Sequence, residues 1–205
     1  MFGNNFSETN RIRLFLATQV PPKVILALSE AQDNFRKLKV KASWVRRENM
    51  HITLKFLGDI APDTTSSLIH SMTSVGKRSS QFNIAPDKIT LYPDESKPRI
   101  LAVVFNDSEG QMAQLHQNIE DALVRQGIAK DSRSFTPHLT LGRFKLTKKD
   151  AALSQAVQTQ KKLTCGSFGV DTFQLVHSQL TVNGPIYTPI EEFTLADDPS
   201  DLNES

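Results

Sequence analysis

The chain has 205 residues, 24 basic and 22 acidic, with a formal net charge of +2. This length suits one domain or two closely packed lobes, and a hydrophobic content of 39% with 22% charged residues excludes a disordered or fibrous protein. The near balance of charge argues against a surface that binds nucleic acid all over, but it allows a local basic cleft. The single cysteine, Cys165, excludes an intrachain disulfide.

The first segments predict a strand, a helix and two further strands. Residues 11–18 (RIRLFLAT) are rich in large apolar side chains, as in a buried strand. Residues 21–40 open with two prolines and then place apolar side chains at helical spacing, which predicts an amphipathic helix. Residues 43–58 (SWVRRENMHITLKFLG) predict a short strand, a polar turn and a longer strand that ends at Gly58.

The rest of the chain continues this alternation. Helices are predicted over 61–76, over 108–127 with Ser108 as the N-cap and Gly127 as the stop, and over 147–160. Strands are predicted over 82–93 and 99–106, one or two strands over 166–181, and a turn with a short extended segment over 183–189.

Strands and helices therefore alternate twice, which predicts an α+β fold of two similar halves. We expect antiparallel sheets, helices on their outer faces and a central cleft where the halves meet. Residues 11–195 are expected to form a single bilobal domain, between a disordered N-terminus (1–10) and a flexible acidic tail (196–205). Neither a signal peptide nor an apolar run of roughly 20 residues is visible, so a cytoplasmic protein outside the membrane is expected.

A His-x-Thr-Leu motif occurs once in each half, at 51–54 (HITL) and at 138–141 (HLTL). Because side chains alternate along a strand, His51 and Thr53 share one face, and His138 and Thr140 do likewise. If a two-fold rotation relates the halves, two imidazoles and two hydroxyls meet in one pocket.

Such a pocket suits in-line attack at phosphorus. A neutral histidine can take a proton from the nucleophile while a protonated one gives a proton to the departing oxygen. The threonine hydroxyls can donate to the phosphate oxygens, and Arg143 could bind the same oxygens with its guanidinium. No carboxylate cluster accompanies the histidines, so neither a metal nor another cofactor is expected.

Other interpretations of single residues are weaker. A zinc site is disfavoured because threonine is not a usual ligand and two histidines are too few. Cys165 is expected to be a small buried thiol, and His70 and His116 are expected to be solvated on helix surfaces. Phe56 follows His51 by five residues, an odd offset that shares a face only if the strand bends, so geometry leaves its role open.

Four stretches in order, RLFLAT, WVRRENMHITLKFLG, FTPHLTLGR and NGPIYTPIEEF, resemble the hallmarks of the two-histidine (2H) phosphoesterases. The particular resemblance is to the RNA 2′,3′-cyclic phosphodiesterase branch, also called 2′-5′ RNA ligase. It implies a bilobal α+β fold and metal-free hydrolysis of a 2′,3′-cyclic phosphate at an RNA 3′ end, with the phosphate kept on the 2′-oxygen. The implied partner is that RNA end, and a monomer is expected.

The same resemblance implies a role for each site residue. His51 would be the proton donor to the leaving 3′-oxygen and His138 the base that activates water. Thr53, Thr140 and Arg143 would hold the phosphate, and Phe56 would contact the terminal base. Three alternatives stay open: 2′-5′ ligation of RNA halves, non-catalytic binding of nucleotides or RNA ends, and hydrolysis of another small cyclic nucleotide.

Overall fold

The computed structural model describes residues 11–146, 148–160, 163 and 165–197. The expectations for residues 1–10, and for most of the acidic tail, lie outside the described residues. The first part of the chain contains three strands and two helices: β1 (Ile12–Gln19), α1 (Pro22–Arg36), β2 (Ala42–Trp44), β3 (His51–Ile60) and α2 (Thr65–Lys77). One-turn 3-10 helices, Arg47–Asn49 and Pro62–Thr64, precede β3 and α2.

The remainder of the chain supplies six strands and two helices. They are β4 (Phe82–Tyr92), β5 (Ile100–Asn106), α3 (Gln111–Val124), β6 (His138–Phe144), α4 (Ala151–Thr159), β7 (Phe168–Val170), β8 (Thr172–Thr181) and β9 (Gly184–Thr194). Each predicted helix and strand is present. The last strand is longer than the predicted short segment because it pairs with β8 along its whole length.

The strands of the described residues form one curved antiparallel sheet in the order β7-β4-β5-β6-β3-β1-β8-β9, with β2 added beside β6. The two motif strands, β3 and β6, are neighbours at its centre. On one side lies the first half (β3, β1, β8, β9), and on the other lies the second half (β6, β5, β4, β7). Each half repeats the order strand, helix, motif strand, helix, which confirms the predicted α+β architecture.

Two helices pack across the boundary between the two halves. Helix α1 contacts β6, and α3 contacts β3, so each helix packs beneath the motif strand of the other half. The inward face of α1 buries Val24, Leu28 and Phe35, which recur at helical spacing. Burial of each such side chain stabilises the fold by about 1.5–3 kcal/mol. Gln32, 1% exposed, donates hydrogen bonds from its amide to the carbonyls of Val45 (2.8 Å) and Leu141 (2.7 Å).

The prediction of Ser108 as the cap of α3 is wrong. The carboxylate of Asp107 accepts hydrogen bonds from the backbone N–H groups of Met112 (3.0 Å) and Ala113 (2.9 Å). Gly110 occupies the N-cap position with φ of +70°, a conformation that glycine adopts without steric cost. Asp107, one residue before Ser108, therefore accepts the hydrogen bonds of the free N–H groups in the first turn of the helix.

Candidate active site

The two histidine motifs meet at the line where the halves join. Ile52 of β3 pairs with Leu139 of β6, and both side chains are 0% exposed on the core side of the sheet. Their neighbours His51, Thr53, His138 and Thr140 are less buried and occupy the opposite face, which we call the cleft face. Around this pair, His51 and His138 are diagonal neighbours across the two strands. The predicted convergence of the motifs thus follows from the strand pairing.

The two imidazoles are oriented in the same way. Nδ1 of His51 lies 2.9 Å from the carbonyl oxygen of Asn49, and Nδ1 of His138 lies 2.8 Å from that of Thr136. A carbonyl can only accept, so Nδ1 carries the proton in both neutral rings, and Nε2 is the nitrogen without one. The two rings therefore have the same tautomer.

A β-bulge follows the threonine in each motif. The register of β1 on β3 shifts between Thr53 and Lys55, and the register of β5 on β6 shifts between Thr140 and Gly142. One extra residue in a strand reverses the alternation beyond it. An offset of five then returns to the original face.

The bulges decide which face of the sheet Phe56 and Arg143 occupy. Phe56 is 65% exposed between buried Lys55 and half-buried Leu57, and Arg143 is exposed between buried Gly142 and Phe144. Both lie on the cleft face with the histidine of their own motif. The structure thus gathers every predicted site residue on one face of the sheet: His51, Thr53, Phe56, His138, Thr140 and Arg143.

Aromatic side chains surround His51. The ring of Phe15 stacks on the imidazole with centroids 4.9 Å apart, and Tyr187 meets it edge-on at 5.3 Å. Phe56 approaches Phe15 at 6.0 Å. Beside these rings opens a cavity of about 280 Å³, lined by Phe15, Gln19, Glu48, His51, Gln174, Val176, Tyr187 and Pro189. Flat apolar rings with polar groups at the rim suit a nucleobase and its ribose.

The surroundings of His51 disfavour its charged form. Burial lowers the pKa of His51 to about 4, the hydrogen bond to the Asn49 carbonyl opposes this shift, and the positive charge of Arg143 adds to it. The same guanidinium acts on the pKa of Tyr187, which burial raises. Arg143 of the second half therefore projects its charge over the first half of the site, and His51 is neutral at pH 7 in the free protein.

This lowered pKa predicts a pH-dependent stability. In the unfolded chain His51 binds a proton with the ordinary histidine pKa of 6.5, whereas in the folded protein it is protonated only near pH 4. Stability from this group is complete above pH 6.5 and is lost as the pH falls towards 4, by up to about 3 kcal/mol. Urea unfolding at pH 7 and pH 4.5 should show a smaller difference for His51→Gln than for the natural protein. An unchanged difference would contradict the lowered pKa.

His138 has an aromatic neighbour as well. The ring of Tyr92, at the end of β4, lies 5.5 Å from the imidazole. The chain contains two tyrosines, and each lies against one of the two cleft histidines. Sequence reasoning missed Phe15, Tyr92 and Tyr187. Phe15 and Tyr187 lie within the family-like stretches RLFLAT and NGPIYTPIEEF, but their contacts with His51, like that of Tyr92 with His138, arise only through the pairing of strands that are distant in the chain.

The other candidate residues lie outside the cleft. Among the described residues, one trio could supply three metal ligands, His116, Glu120 and Asp131, and it lies beneath the sheet. Cys165 is half-buried, and burial raises the pKa of its thiol, which suits a packed side chain better than a nucleophile. No helix in the described part of the chain is long and apolar enough to cross a membrane.

Relatives share both the sequence pattern and the fold. The model of the 2′-5′ RNA ligase superfamily matches residues 20–181. An RNA 2′,3′-cyclic phosphodiesterase of Aquifex aeolicus is 30% identical over 173 residues, which cover 82% of this chain and 92% of that protein. One of Methanocaldococcus jannaschii is 29% identical over 188 residues, covering 89% of this chain and 100% of that protein.

A crystal structure from Thermus thermophilus superposes with a TM-score of 0.77 at 25% identity, covering 90% of this chain and 98% of that one. Escherichia coli LigT complexed with 3′-AMP superposes with a TM-score of 0.73 at 21% identity, covering 92% of this chain and 99% of the other, and so supports the fold. The doubled motif, the central pairing of its strands and these matches agree: the chain belongs to the 2′-5′ RNA ligase superfamily.

Proposed function

We propose that this protein is an RNA 2′,3′-cyclic 3′-phosphodiesterase that works by metal-independent acid–base catalysis. The observation that carries the proposal is the pair of imidazoles on one face of the sheet, both with Nδ1 held by a carbonyl and Nε2 left to the cleft. Relatives named RNA 2′,3′-cyclic phosphodiesterase match over most of their length, which supports the same substrate class.

In the proposed reaction, Nε2 of His138 takes a proton from the attacking water as its oxygen bonds to phosphorus. The bond between phosphorus and O3′ breaks on the opposite side, and Nε2 of His51 protonates the departing O3′. Thr53, Thr140 and Arg143 donate hydrogen bonds to the phosphate oxygens, whose negative charge grows in the transition state. The product is a 2′-phosphomonoester with a free 3′-hydroxyl.

The acid role requires His51 to gain a proton, since it is neutral in the free protein at pH 7. A phosphate anion between the two motifs would supply the missing charge and raise the pKa of His51. Binding of the substrate and charging of the acid are then one event.

The proposal treats residues 11–195 as one catalytic domain that acts as a monomer. Both histidine motifs come from a single chain. Helix α1 packs against the motif strand β6 and helix α3 against the motif strand β3, so each half depends on the other. The cleft residues offer imidazole, hydroxyl and guanidinium groups, a set that suits a phosphate anion better than a divalent metal. A single cysteine fits a reducing compartment such as the cytoplasm.

The deciding experiment incubates purified protein with a short RNA that ends in a 2′,3′-cyclic phosphate. We expect hydrolysis that survives excess EDTA, and phosphorus NMR should show the product phosphate on the 2′-oxygen. Activity lost to EDTA and restored by zinc or magnesium would refute the metal-free scheme, and a lack of turnover would leave the binding-module alternative. Addition of a 5′-hydroxyl RNA, followed by sizing of the products, tests ligation by the same groups.

Phe56 is expected to act on binding more than on chemistry. Its exposed ring lies 6.0 Å from that of Phe15, which supports the proposal that it stacks on the terminal base, a contact worth about 1–3 kcal/mol. We expect Phe56→Ala to raise KM about 10-fold with kcat nearly unchanged, since the stack is equal in the ground and transition states. Val182→Ala, at an exposed hairpin tip, is the control. A loss confined to kcat would exclude the stacking role.

A further inference from the structure

A buried lysine occupies the first motif strand just beyond its bulge. Lys55 is 2% exposed, although lysine is rarely buried unless it is paired. Its Nζ lies 2.7 Å from Oε1 of Glu120 and 3.0 Å from Oδ1 of Asp131, and it donates a hydrogen bond to the carbonyl of Ala129 at 3.0 Å. One ammonium therefore joins β3 to helix α3 and to the segment that follows that helix.

The ammonium makes a metal ion at this place unnecessary. Glu120 is 3% exposed and would need a positive partner, and Lys55 supplies it at ion-pair distance. Oε2 of Glu120 also accepts the backbone N–H of Asp131 at 3.2 Å. The ammonium of Lys55 thus pairs with both carboxylates of the trio, and hydrogen bonds from Lys55 and to Glu120 engage the backbone of residues 129–131.

His116 holds the other end of the same segment. Its ring stacks on Phe135 with centroids 4.2 Å apart and planes 9° from parallel, and its Nε2 lies 3.5 Å from Oε1 of Glu120. The side chain is 12% exposed, so the expectation that His116 is solvated is wrong. A short cluster of Lys55, Glu120, His116 and Phe135 runs beneath the sheet, and we call it the brace.

The brace ends one residue from the atom that orients His138. Thr136 follows Phe135, and its carbonyl accepts the hydrogen bond from Nδ1 of His138 at 2.8 Å. Residues 129–137 have no helical or strand structure, so their backbone depends on such individual contacts. Beyond the brace, the segment is held by a hydrogen bond from the N–H of Phe105 to the carbonyl of Pro137 at 3.0 Å.

We propose that Lys55, Glu120 and His116 are positioning residues that fix the segment 129–136 and thereby aim the His138 imidazole at the cleft. They touch no substrate. Because Lys55 lies in the strand of the first motif, the brace also sets the distance between the two halves of the site. The catalytic consequence rests on the proposed function, whereas the orientation of the His138 ring can be measured without any reaction.

The test uses variants that keep the fold. The double variant Lys55→Met/Glu120→Leu replaces a buried ion pair by apolar groups of similar size, a change that proteins often tolerate. His116→Ala removes the stack on Phe135, and His116→Phe restores a stacked ring without an imidazole. We expect kcat to fall at least 10-fold in the double variant and in His116→Ala, with KM changed less than threefold, and to recover in His116→Phe.

An NMR measurement and a control variant distinguish a positioning role from a purely structural one. Nitrogen-15 NMR of His138 should show the proton on Nδ1 alone in the natural protein, and exchange between Nδ1 and Nε2 in the double variant. Lys37→Met is the control, since Lys37 is an exposed lysine at the end of α1 whose ammonium donates a hydrogen bond to Asn34, away from the brace and from the segment 129–136. It should leave both the spectrum and kcat unchanged.

The outcomes are distinct. A folded double variant with unchanged kcat and an unchanged His138 spectrum overturns the proposal, and so does a His116→Phe variant as poor as His116→Ala. If the double variant fails to fold, Phe135→Leu removes the stack from the other side and decides by the same two readings. If the natural protein shows no turnover, the proposed function fails, and the His138 spectrum still tests the brace.

Discussion

Alanine in place of His51 or His138 should reduce kcat for the cyclic phosphate by about 10²–10⁴-fold in each case, the usual contribution of general acid–base catalysis. Both rings present Nε2 to the cleft, and no other described histidine shares their face of the sheet at the join. The free energy of unfolding should change by no more than about 1–2 kcal/mol, the usual range for a single replacement. The loss is therefore chemical.

Single-turnover rates and thermal unfolding of the same preparations check this prediction. His70→Ala is the matched control, since His70 is an exposed histidine of α2 outside the cleft. The double replacement should cost little more than the worse single one, because residues that act as a unit are not additive. A His138→Ala protein that hydrolyses the substrate at the natural rate would remove the proposed base.

The pH dependence of kcat/KM carries the same information. A reaction that needs one charged and one neutral imidazole gives a bell-shaped curve, and each histidine replacement should remove one limb. A flat profile between pH 5 and 9 in the natural protein would contradict the histidine pair.

The fold and the common face of the two motifs were predictable because their signals are local and doubled. Each His-x-Thr motif lies in an apolar strand whose alternation fixes a face, and the repeat implies a shared pocket. Phe56 shows where local reasoning stops. The bulge between Thr53 and Lys55 depends on how β1 lies against β3, and a strand pattern alone does not reveal such a register shift.

The remaining parts of the site depend on contacts between distant segments. Phe15 lies on β1 beside β3, and Tyr187 lies on β9, which is joined to β1 through β8. Both contact His51, and no pattern within β1 or β9 predicts these contacts. His116 was misjudged for the same reason. On its own helix it has polar neighbours, but the loop ahead of β6 folds back and covers it with Phe135.

Arg143→Ala is expected to reduce kcat by about 10²–10³-fold, the cost of removing one strong donor to a developing oxyanion. The bulge after Thr140 turns this side chain to the cleft face, where its charge reaches His51 and Tyr187. Lysine at this position keeps the charge but cannot donate bidentate hydrogen bonds, so kcat of Arg143→Lys should lie between those of Arg143→Ala and the natural protein. Arg125→Ala, at the exposed end of α3, is the control.

The same replacement makes a second measurement possible in the free protein. The guanidinium is one of the causes that lower the pKa of His51, so its removal should raise that pKa, and Arg143→Lys should raise it less. An NMR titration of the His51 ring measures the shift without substrate. A slower Arg143→Ala enzyme with an unshifted His51 would place the guanidinium away from the first motif and leave its role to the phosphate alone. A shift together with the slower rate would show that one side chain both promotes the reaction and adds to the burial that lowers the pKa of His51 in the free protein.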